Sequence, residues 1–421
     1  MQADQVERGP EAGFSCRFCG AGEWTTFVDL GMSPLCNTHV ERRNLGAMEQ
    51  FFPLHARVCQ ACFLVQLDEF VAPAEIFGEY AYFSSYADTW VDHARRYADS
   101  MRQRLGLDHS SLVIELASND GYLLQHFVSA RVPVLGIEPA ANVAAAARAR
   151  GVRTDVSFHG SANAARVAAE YGRADLVLGN NVLAHVPNLN DFVAGMKVLM
   201  KPDGVFTMEF PHLERLMEQN QFDTIYHEHF SYFSFITVEK VFAAHGLTLF
   251  DVEELPTHGG SIRIFGRHVE DGSKPVGRRV AELRARELGR GFDRIDTYRN
   301  FDAAVRATKR DILECLIGLK RQGRSIVGYG APGKGNTLLN YCGIRSDFLD
   351  YTVDRNPYKQ GKFTPGTHIA ILPPEMIRET KPDYIFILPW NLRDEIMSQM
   401  SFVRDWGCRF IVPIPKPQIL D

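Results

Sequence analysis

From about residue 92 onward, apolar positions recur with two rhythms that alternate along the chain. A charged stretch with helical spacing runs to about Leu105, and the short apolar run 112–117 follows it. A polar turn, Ser118-Asn-Asp-Gly121, then opens another helical stretch that lasts to about Ala130. Runs of strand length return at 132–137, 152–155, 174–178 and 204–210, the last behind the turn Lys201-Pro-Asp-Gly204. They are too short for helices and are bounded by turn formers, so they read as buried strands. Residues 237–245 have helical spacing, and 247–254 with 261–267 read as a strand pair. Strands alternating with helices predict an α/β fold built on a parallel Rossmann-type sheet, here ending in an antiparallel pair.

The pattern changes on either side of this core. Residues 276–322 are charged and helical, with apolar positions at Leu283, Leu288, Ile295, Ile312 and Leu316, and they link the first sheet to a second. Apolar runs at 324–329, 350–354, 384–388 and 410–413 predict that second, smaller Rossmann-like α/β sheet. The first 75 residues carry paired cysteines and no such alternation. Three domains are therefore expected, at 1–75, 76–270 and 271–421. Residues 77–90 are rich in aromatics and hydroxyls without clean periodicity. They read either as a packed linker or as a lid that brings phenols, Ser84 and Ser85 to a polar ligand.

Composition narrows the partners. With 46 basic and 51 acidic residues and a net charge of -5, the 421-residue chain has no basic field for nucleic acid. It holds no run approaching the roughly 20 apolar residues of a membrane span, and its polar start lacks the core of a signal peptide. A cytoplasmic protein with no membrane partner is expected. In a reducing compartment the eight cysteines are thiols or metal ligands. Cys16 and Cys19, then Cys59 and Cys62, form two knuckles that together complete a closed tetrahedral zinc site. The plainer alternative is two unrelated buried pairs. Cys36, Cys315, Cys342 and Cys408 read as core thiols.

Four places carry candidate chemistry. The turn after residue 117 has the strand-turn-helix context of a nucleotide site, but one glycine where a pyrophosphate fingerprint has three. A ligand without that pyrophosphate fits better, S-adenosylmethionine (SAM) among them, with Glu138 at the end of the next strand placed for the ribose hydroxyls. Asn180, Asn181 and His185 follow the fourth strand, where open α/β sheets bind ligands, although helix capping by the asparagines is the competing account. Tyr226-His-Glu-His229 and Tyr232 put two imidazoles, a carboxylate and two phenols within seven residues, a set suited to proton transfer. Finally, Gly328, Gly330 and Gly333 with Asp354 spell a dinucleotide fingerprint, which makes an NAD-dependent nucleotide-sugar dehydrogenase or epimerase the second reading. A metal hydrolase using His227 and His229 is the third.

Taken together, the paired Cys-x-x-Cys motifs, Glu-Leu-Ala-Ser-Asn-Asp-Gly121, the Asn180 to His185 segment, Tyr226-His-Glu-His229 and Gly328-Tyr-Gly-Ala-Pro-Gly-Lys-Gly-Asn336 are specific. Over essentially its full length the chain resembles the SAM-dependent sugar C-methyltransferases that act at C3 of nucleotide-linked 4-keto-6-deoxyhexoses. The resemblance implies a structural zinc, bound SAM and a dTDP- or GDP-linked ketosugar, with the oligomeric state open. It implies His229 as general base, Glu228 orienting it, Tyr226 and Tyr80 as donors and His185 positioning the sugar; Tyr82 and Tyr86 compete with Tyr80. Expected cofactor contacts are Glu115, Ala117, Ser118, Asp120, Gly121, Glu138, Pro139, Asn180 and Asn181. Expected substrate contacts are Ser84, Ser85, Lys334, Asn336, Asp354, Arg355 and Lys359.

Overall fold

The computed structural model describes residues 14–72, 84–86 and 88–421. Tyr80 and Tyr82 lie outside the described residues, as does the side chain of Tyr86. Seventeen strands occur in chain order among the described residues. β1 (Trp24–Ser33), β2 (Phe52–Cys59) and β3 (Val65–Gln66) lie in the cysteine-bearing segment. β4 (Val113–Leu116), β5 (Val134–Ile137), β6 (Thr154–Asp155), β7 (Ala174–Asn180) and β8 (Met200–Pro211) alternate with helices, as the periodicity predicts. Then come β9 (Ser231–Tyr232), β10 (Leu247–Leu255) and β11 (Ser261–His268). The last six are β12 (Ile326–Tyr329), β13 (Thr352–Val353), β14 (Ile371–Leu372), β15 (Tyr384–Ile387), β16 (Arg409–Val412) and β17 (Gln418–Leu420).

The central sheet has the order β10-β11-β8-β7-β4-β5-β6, parallel from β8 to β6. β11 enters antiparallel between β8 and β10, the expected strand pair. The turn expected at Lys201 to Gly204 is a bulge inside β8: Ala174 pairs with Met200 and Leu176 with Val205. The C-terminal sheet, β14-β13-β12-β15-β16-β17, gains two edge strands, β14 and β17, that are too short to register as apolar runs. Strand order reverses at β4 in one sheet and at β12 in the other, so each offers a crevice at the carboxyl ends of its strands.

The N-terminal sheet was the least foreseeable. Its fourth strand is β9, taken from the Tyr226 to Tyr232 run and paired antiparallel with β3 through Val65–Tyr232 and Gln66–Ser231. The N-terminal module also shares its hydrophobic core with both larger sheets. Phe27, Leu54 and Val58 are buried in one cluster with Ile312, Ile326 and Phe386, while Cys16, Cys59, Cys62 and Leu64 are buried in another with Ile114, Val177 and Phe210. Phe27 stacks on Phe301 at 4.4 Å, which seats the linking helix Phe301–Arg321 against β1. No described helix is long and apolar enough to cross a membrane.

The central core is packed without slack. A Cβ placed at Gly266 of β11 would lie 2.0 Å from Cζ of Phe206, whose ring stacks on Phe242 at 4.7 Å. Gly266→Ala should therefore overpack this layer and lower stability by about 1–3 kcal/mol in urea unfolding; an unchanged midpoint would show that Phe206 can yield.

Candidate active site

The turn after β4 is built from backbone that side chains rarely adopt. Ala117, Asn119 and Gly121 have φ of 55°, 48° and 77°. A Cβ at Gly121 would meet Val152 Cγ2 at 2.9 Å, and one at Gly136 would meet Ser118 Oγ at 2.3 Å, so both glycines are needed for the turn to lie against β5 and its neighbours. Glu138 ties the turn down: its Oε2 accepts from the Asn119 N–H and its Oε1 from the Ala140 N–H, both at 2.9 Å. Each oxygen keeps a second lone pair, enough for the ribose hydroxyls expected of it.

Buried polar atoms around this turn are left over. Among the described residues, Glu115 Oε2, Ser118 Oγ, Asp120 Oδ1, both amide atoms of Asn180 and Asn181 Oδ1 have no hydrogen-bond partner. A buried polar group without a partner is costly, so this concentration at strand ends fits a polar ligand such as SAM. Burial, with Glu138 and Asp120 nearby, raises the Glu115 carboxyl well above the usual carboxylate range. Pro139 adjoins Glu138 in the same turn.

Ser84 and Ser85 take a different place from the one expected. The Ser84 N–H donates to Asn119 Oδ1 at 2.9 Å, and Ser85 Oγ to Asp120 Oδ2 at 2.5 Å. Arg150 closes the arrangement, donating to Ser85 Oγ at 2.8 Å and pairing with Asp120 at 2.9 Å. The Ser84 N–H and the Ser85 hydroxyl strap the turn after β4, where Asp120 is buried and needs donors.

Across the strand ends lies the His229 cluster. His229 Nδ1 bonds the Thr224 carbonyl at 2.9 Å. A carbonyl only accepts, so Nδ1 carries the proton and Nε2 the lone pair. The His185 ring stands edge-on to His229 at 4.6 Å, and the Tyr226 ring lies 4.0 Å from it. Burial, then the neighbouring His185, holds the His229 imidazole well below its ordinary pKa, and burial lowers His185 to about 4. Both rings are neutral near pH 7.

Glu228 does not orient His229. Its carboxylate turns the other way, accepting from Asn37 Nδ2 at 2.7 Å, with Cys36 Sγ at 3.7 Å. His227 bonds the Pro53 carbonyl through Nε2 at 3.1 Å. Successive side chains of this run thus face different lobes, and the orienting partner of His229 is a backbone carbonyl. The same divergence separates the two imidazoles, and among the described residues His227 and His229 share no metal-spaced group.

The C-terminal sheet contributes Lys334. The side chain is half-buried, its Nζ donating to Asn391 Oδ1 at 2.8 Å over the Trp390 ring at 4.9 Å. The Trp390 indole donates to Asp223 Oδ2 at 2.7 Å. Burial lowers the Lys334 ammonium, with Asp223 opposing, and burial raises Asp223 to about 6. The positive charge of Lys334 acts on both His229 and His258, so its ammonium lies within electrostatic reach of both rings.

Asn336 donates to the Cys36 carbonyl at 2.6 Å, and its Oδ1 has no partner among the described residues. The rest of the dinucleotide-like fingerprint is filled by the protein itself. A Cβ at Gly333 would lie 2.9 Å from Cys36 Sγ, so the third glycine admits a cysteine of the N-terminal module. Asp354 accepts from the Ala331 and Asn356 N–H groups at 2.8 Å, and Lys359 donates to the Ala331 carbonyl at 2.9 Å. Asp354 and Lys359 therefore brace the turn, where substrate contact was expected of them. Arg355 is exposed beside it.

A further polar group at the cleft escaped the sequence reading. Glu209 of β8 is fully buried between His93 Nε2 at 3.0 Å and Arg263 at 2.5 Å, and it also accepts from Thr257 at 3.0 Å. Burial opposes its charge, but His93 and Arg263 prevail and hold it near 2. His258 bonds Asn181 Nδ2 at 3.0 Å, and the Trp90 ring stands 5.0 Å from His258 and 5.0 Å from His93. The available signal was a glutamate inside the apolar run 204–210, since a buried charge requires a partner.

The four paired cysteines meet. Cys16 and Cys62 sulfurs are 3.5 Å apart, Cys19 and Cys59 sulfurs 3.6 Å, and all four lie within 4.8 Å of one another. A tetrahedral zinc with Zn–S of about 2.3 Å places sulfurs about 3.8 Å apart, whereas a disulfide needs about 2.05 Å, so the set fits the ion. The other grouping, His212, Glu214 and Glu254, has its carboxylates paired with Arg286 at 2.8 and 2.6 Å and Arg290 at 3.0 Å. Metal analysis should therefore find about one zinc per chain, kept when His227 and His229 are both replaced by Asn and lost in Cys59→Ser; a metal that leaves with the histidines would contradict this assignment.

The sequence has counterparts among known proteins. Residues 16–77 match the family described as "Putative zinc binding domain", 90–252 "Methyltransferase domain" and 256–415 "C-methyltransferase C-terminal domain". The C-methyltransferase NovU of Streptomyces niveus is 37% identical over 405 residues, covering 96% of each chain. Two solved structures are more distant. The SAM-dependent methyltransferase of Clostridium acetobutylicum ATCC 824 is 12% identical, with a TM-score of 0.34, covering 44% of this chain and 94% of that one. Magnesium protoporphyrin IX methyltransferase (ChlM) of Synechocystis PCC 6803 with bound SAM is 15% identical, with a TM-score of 0.33, covering 46% and 88%.

Proposed function

This chain belongs to the family of SAM-dependent C-methyltransferases with an N-terminal zinc-binding domain, and we propose that it methylates C3 of a nucleotide-diphosphate-linked 4-keto-6-deoxyhexose through an enolate. The observation that carries this reading is the tautomer of His229. With Nδ1–H held by the Thr224 carbonyl, Nε2 is the basic atom of a buried, neutral ring flanked by the His185 and Tyr226 rings.

A proton beside a ketone is too weakly acidic to leave unaided. His229 Nε2 takes it. The oxyanion that develops needs donors already in place, and Tyr226, with Tyr80 by family resemblance, supplies hydroxyls. His185 positions the ring, and the Lys334 ammonium at the C-terminal side of the cleft favours the anionic sugar nucleotide and its enolate. The turn after β4, with Glu115, Glu138, Asn180 and Asn181, would hold SAM, which would supply an electrophilic methyl group at that end of the sheet. In this division 1–75 carries the metal, 76–270 the methyl donor and 271–421 the sugar nucleotide, dTDP- or GDP-linked.

Incubation with SAM and dTDP- or GDP-linked 4-keto-6-deoxysugars should add one methyl by mass spectrometry; no gain with any of them would overturn the substrate assignment. In heavy water without SAM, the native protein should exchange deuterium into the ketosugar. His229→Asn should lower both exchange and methylation by about 10²- to 10⁴-fold, and exchange at the native rate would remove His229 as the base. The base works when neutral, and its pKa lies below the ordinary value. Hence kcat/KM should stay level as pH falls through about 6.5 and decline only in more acid solution; a midpoint at or above the ordinary histidine value would contradict the buried, neutral ring.

A further inference from the structure

Arg17 lies between two of the four cysteines, in the knuckle Cys16-Arg-Phe-Cys19. Its side chain leaves the metal site and enters the protein. Nη1 donates to the Pro187 carbonyl at 3.1 Å, two residues beyond His185. Nη2 donates to the Leu67 carbonyl, and the guanidinium lies over the Phe230 ring at 5.3 Å, next to His229.

These three segments are already laced together. Leu67 N–H donates to the Phe230 carbonyl at 3.0 Å, and Phe230 N–H to the Ala184 carbonyl at 2.7 Å. The Arg17 backbone is itself held, its N–H by Gln66 Oε1 at 3.0 Å and its carbonyl by Asn190 Nδ2 at 3.2 Å, with the same amide on the Phe18 carbonyl at 2.9 Å. A planar fork with several donors can bind two carbonyls and cover a ring at once, which a lysine cannot do. A cysteine ligand on either side fixes the backbone from which this fork projects.

We infer that Arg17 is a positioning residue: it couples the four-cysteine site to the alignment of His185 and His229 by gripping Pro187 and Phe230, which follow them, and Leu67, which is bonded to Phe230. The inference rests on the catalytic reading of those histidines. Its contacts predict a loss in turnover with little loss in cofactor binding, because the turn after β4 lies outside them.

The test uses full-length Arg17→Met, which keeps an apolar stem over Phe230 without the fork, and Arg17→Lys, which keeps charge and one donor group. Both should hold about one zinc per chain and bind SAM within about twofold of native. In Arg17→Met, kcat should fall by about 10²-fold with KM for the ketosugar little changed, as expected of a small misplacement of reacting groups; Arg17→Lys should lie between. Amide exchange in 183–187 and 229–232, measured without substrate, should quicken by about tenfold while the turn 117–121 stays protected. Turnover within about twofold of native in Arg17→Met, or zinc lost together with activity in both variants, would overturn the coupling. If His229→Asn still methylates, the base assignment fails, and the exchange measurement still judges the Arg17 linkage.

Discussion

A two-residue strand ties the molecule together. Ser231 and Tyr232 pair with Gln66 and Val65, so the segment carrying the candidate base completes the sheet of the metal-binding module. His227, Glu228 and His229 lie just upstream and are all buried. Each needs a partner there, and each finds one in a different place: the Pro53 carbonyl, the Asn37 amide and the Thr224 carbonyl. Register with β3 therefore decides which polar side chain meets which lobe. A slip by one residue would exchange the faces and place a carboxylate where the base stands.

Electrostatics in the cleft divide into two parts with different logic. Around His229 the charges are withheld: burial keeps His185, His229 and His258 neutral, and Lys334 adds to that tendency at His229 and His258. On β8 the opposite holds, because Glu209 keeps its charge through His93 and Arg263. A neutral base can accept a proton, while a paired carboxylate anchors the strand end from which Asn181 and His258 are arranged. Low dielectric strengthens both arrangements and makes any unpartnered polar atom costly.

The N-terminal module is consequently more than an appended metal site. Cys36 touches Glu228 and accommodates Gly333, while the Cys36 carbonyl accepts from Asn336. One short loop thereby meets the candidate catalytic run and the first turn of the helix Gly333–Cys342. The glycine that reads as part of a dinucleotide fingerprint is explained by this contact, since a side chain there would displace the cysteine.

Periodicity alone was enough for the two parallel sheets, their order of elements and the late antiparallel pair, because burial on both faces leaves an apolar run that any reader can count. The Cys-x-x-Cys spacing foretold four converging sulfurs, and the single-glycine turn with Glu138 pointed to a ligand such as SAM at the strand ends. Those features are local, or repeat at a fixed interval. Side-chain direction in the Tyr226 to Tyr232 run is not local: Glu228 turns to Asn37 and His229 to Thr224 because β9 joins a strand more than 160 residues earlier. Ser84, Ser85, Asp354 and Lys359 likewise took bracing roles, and His93, Arg263 and Arg17 joined the site unannounced. A polar residue within a chain states only that it will need a partner; the partner is chosen when distant segments are packed and water is removed from between them.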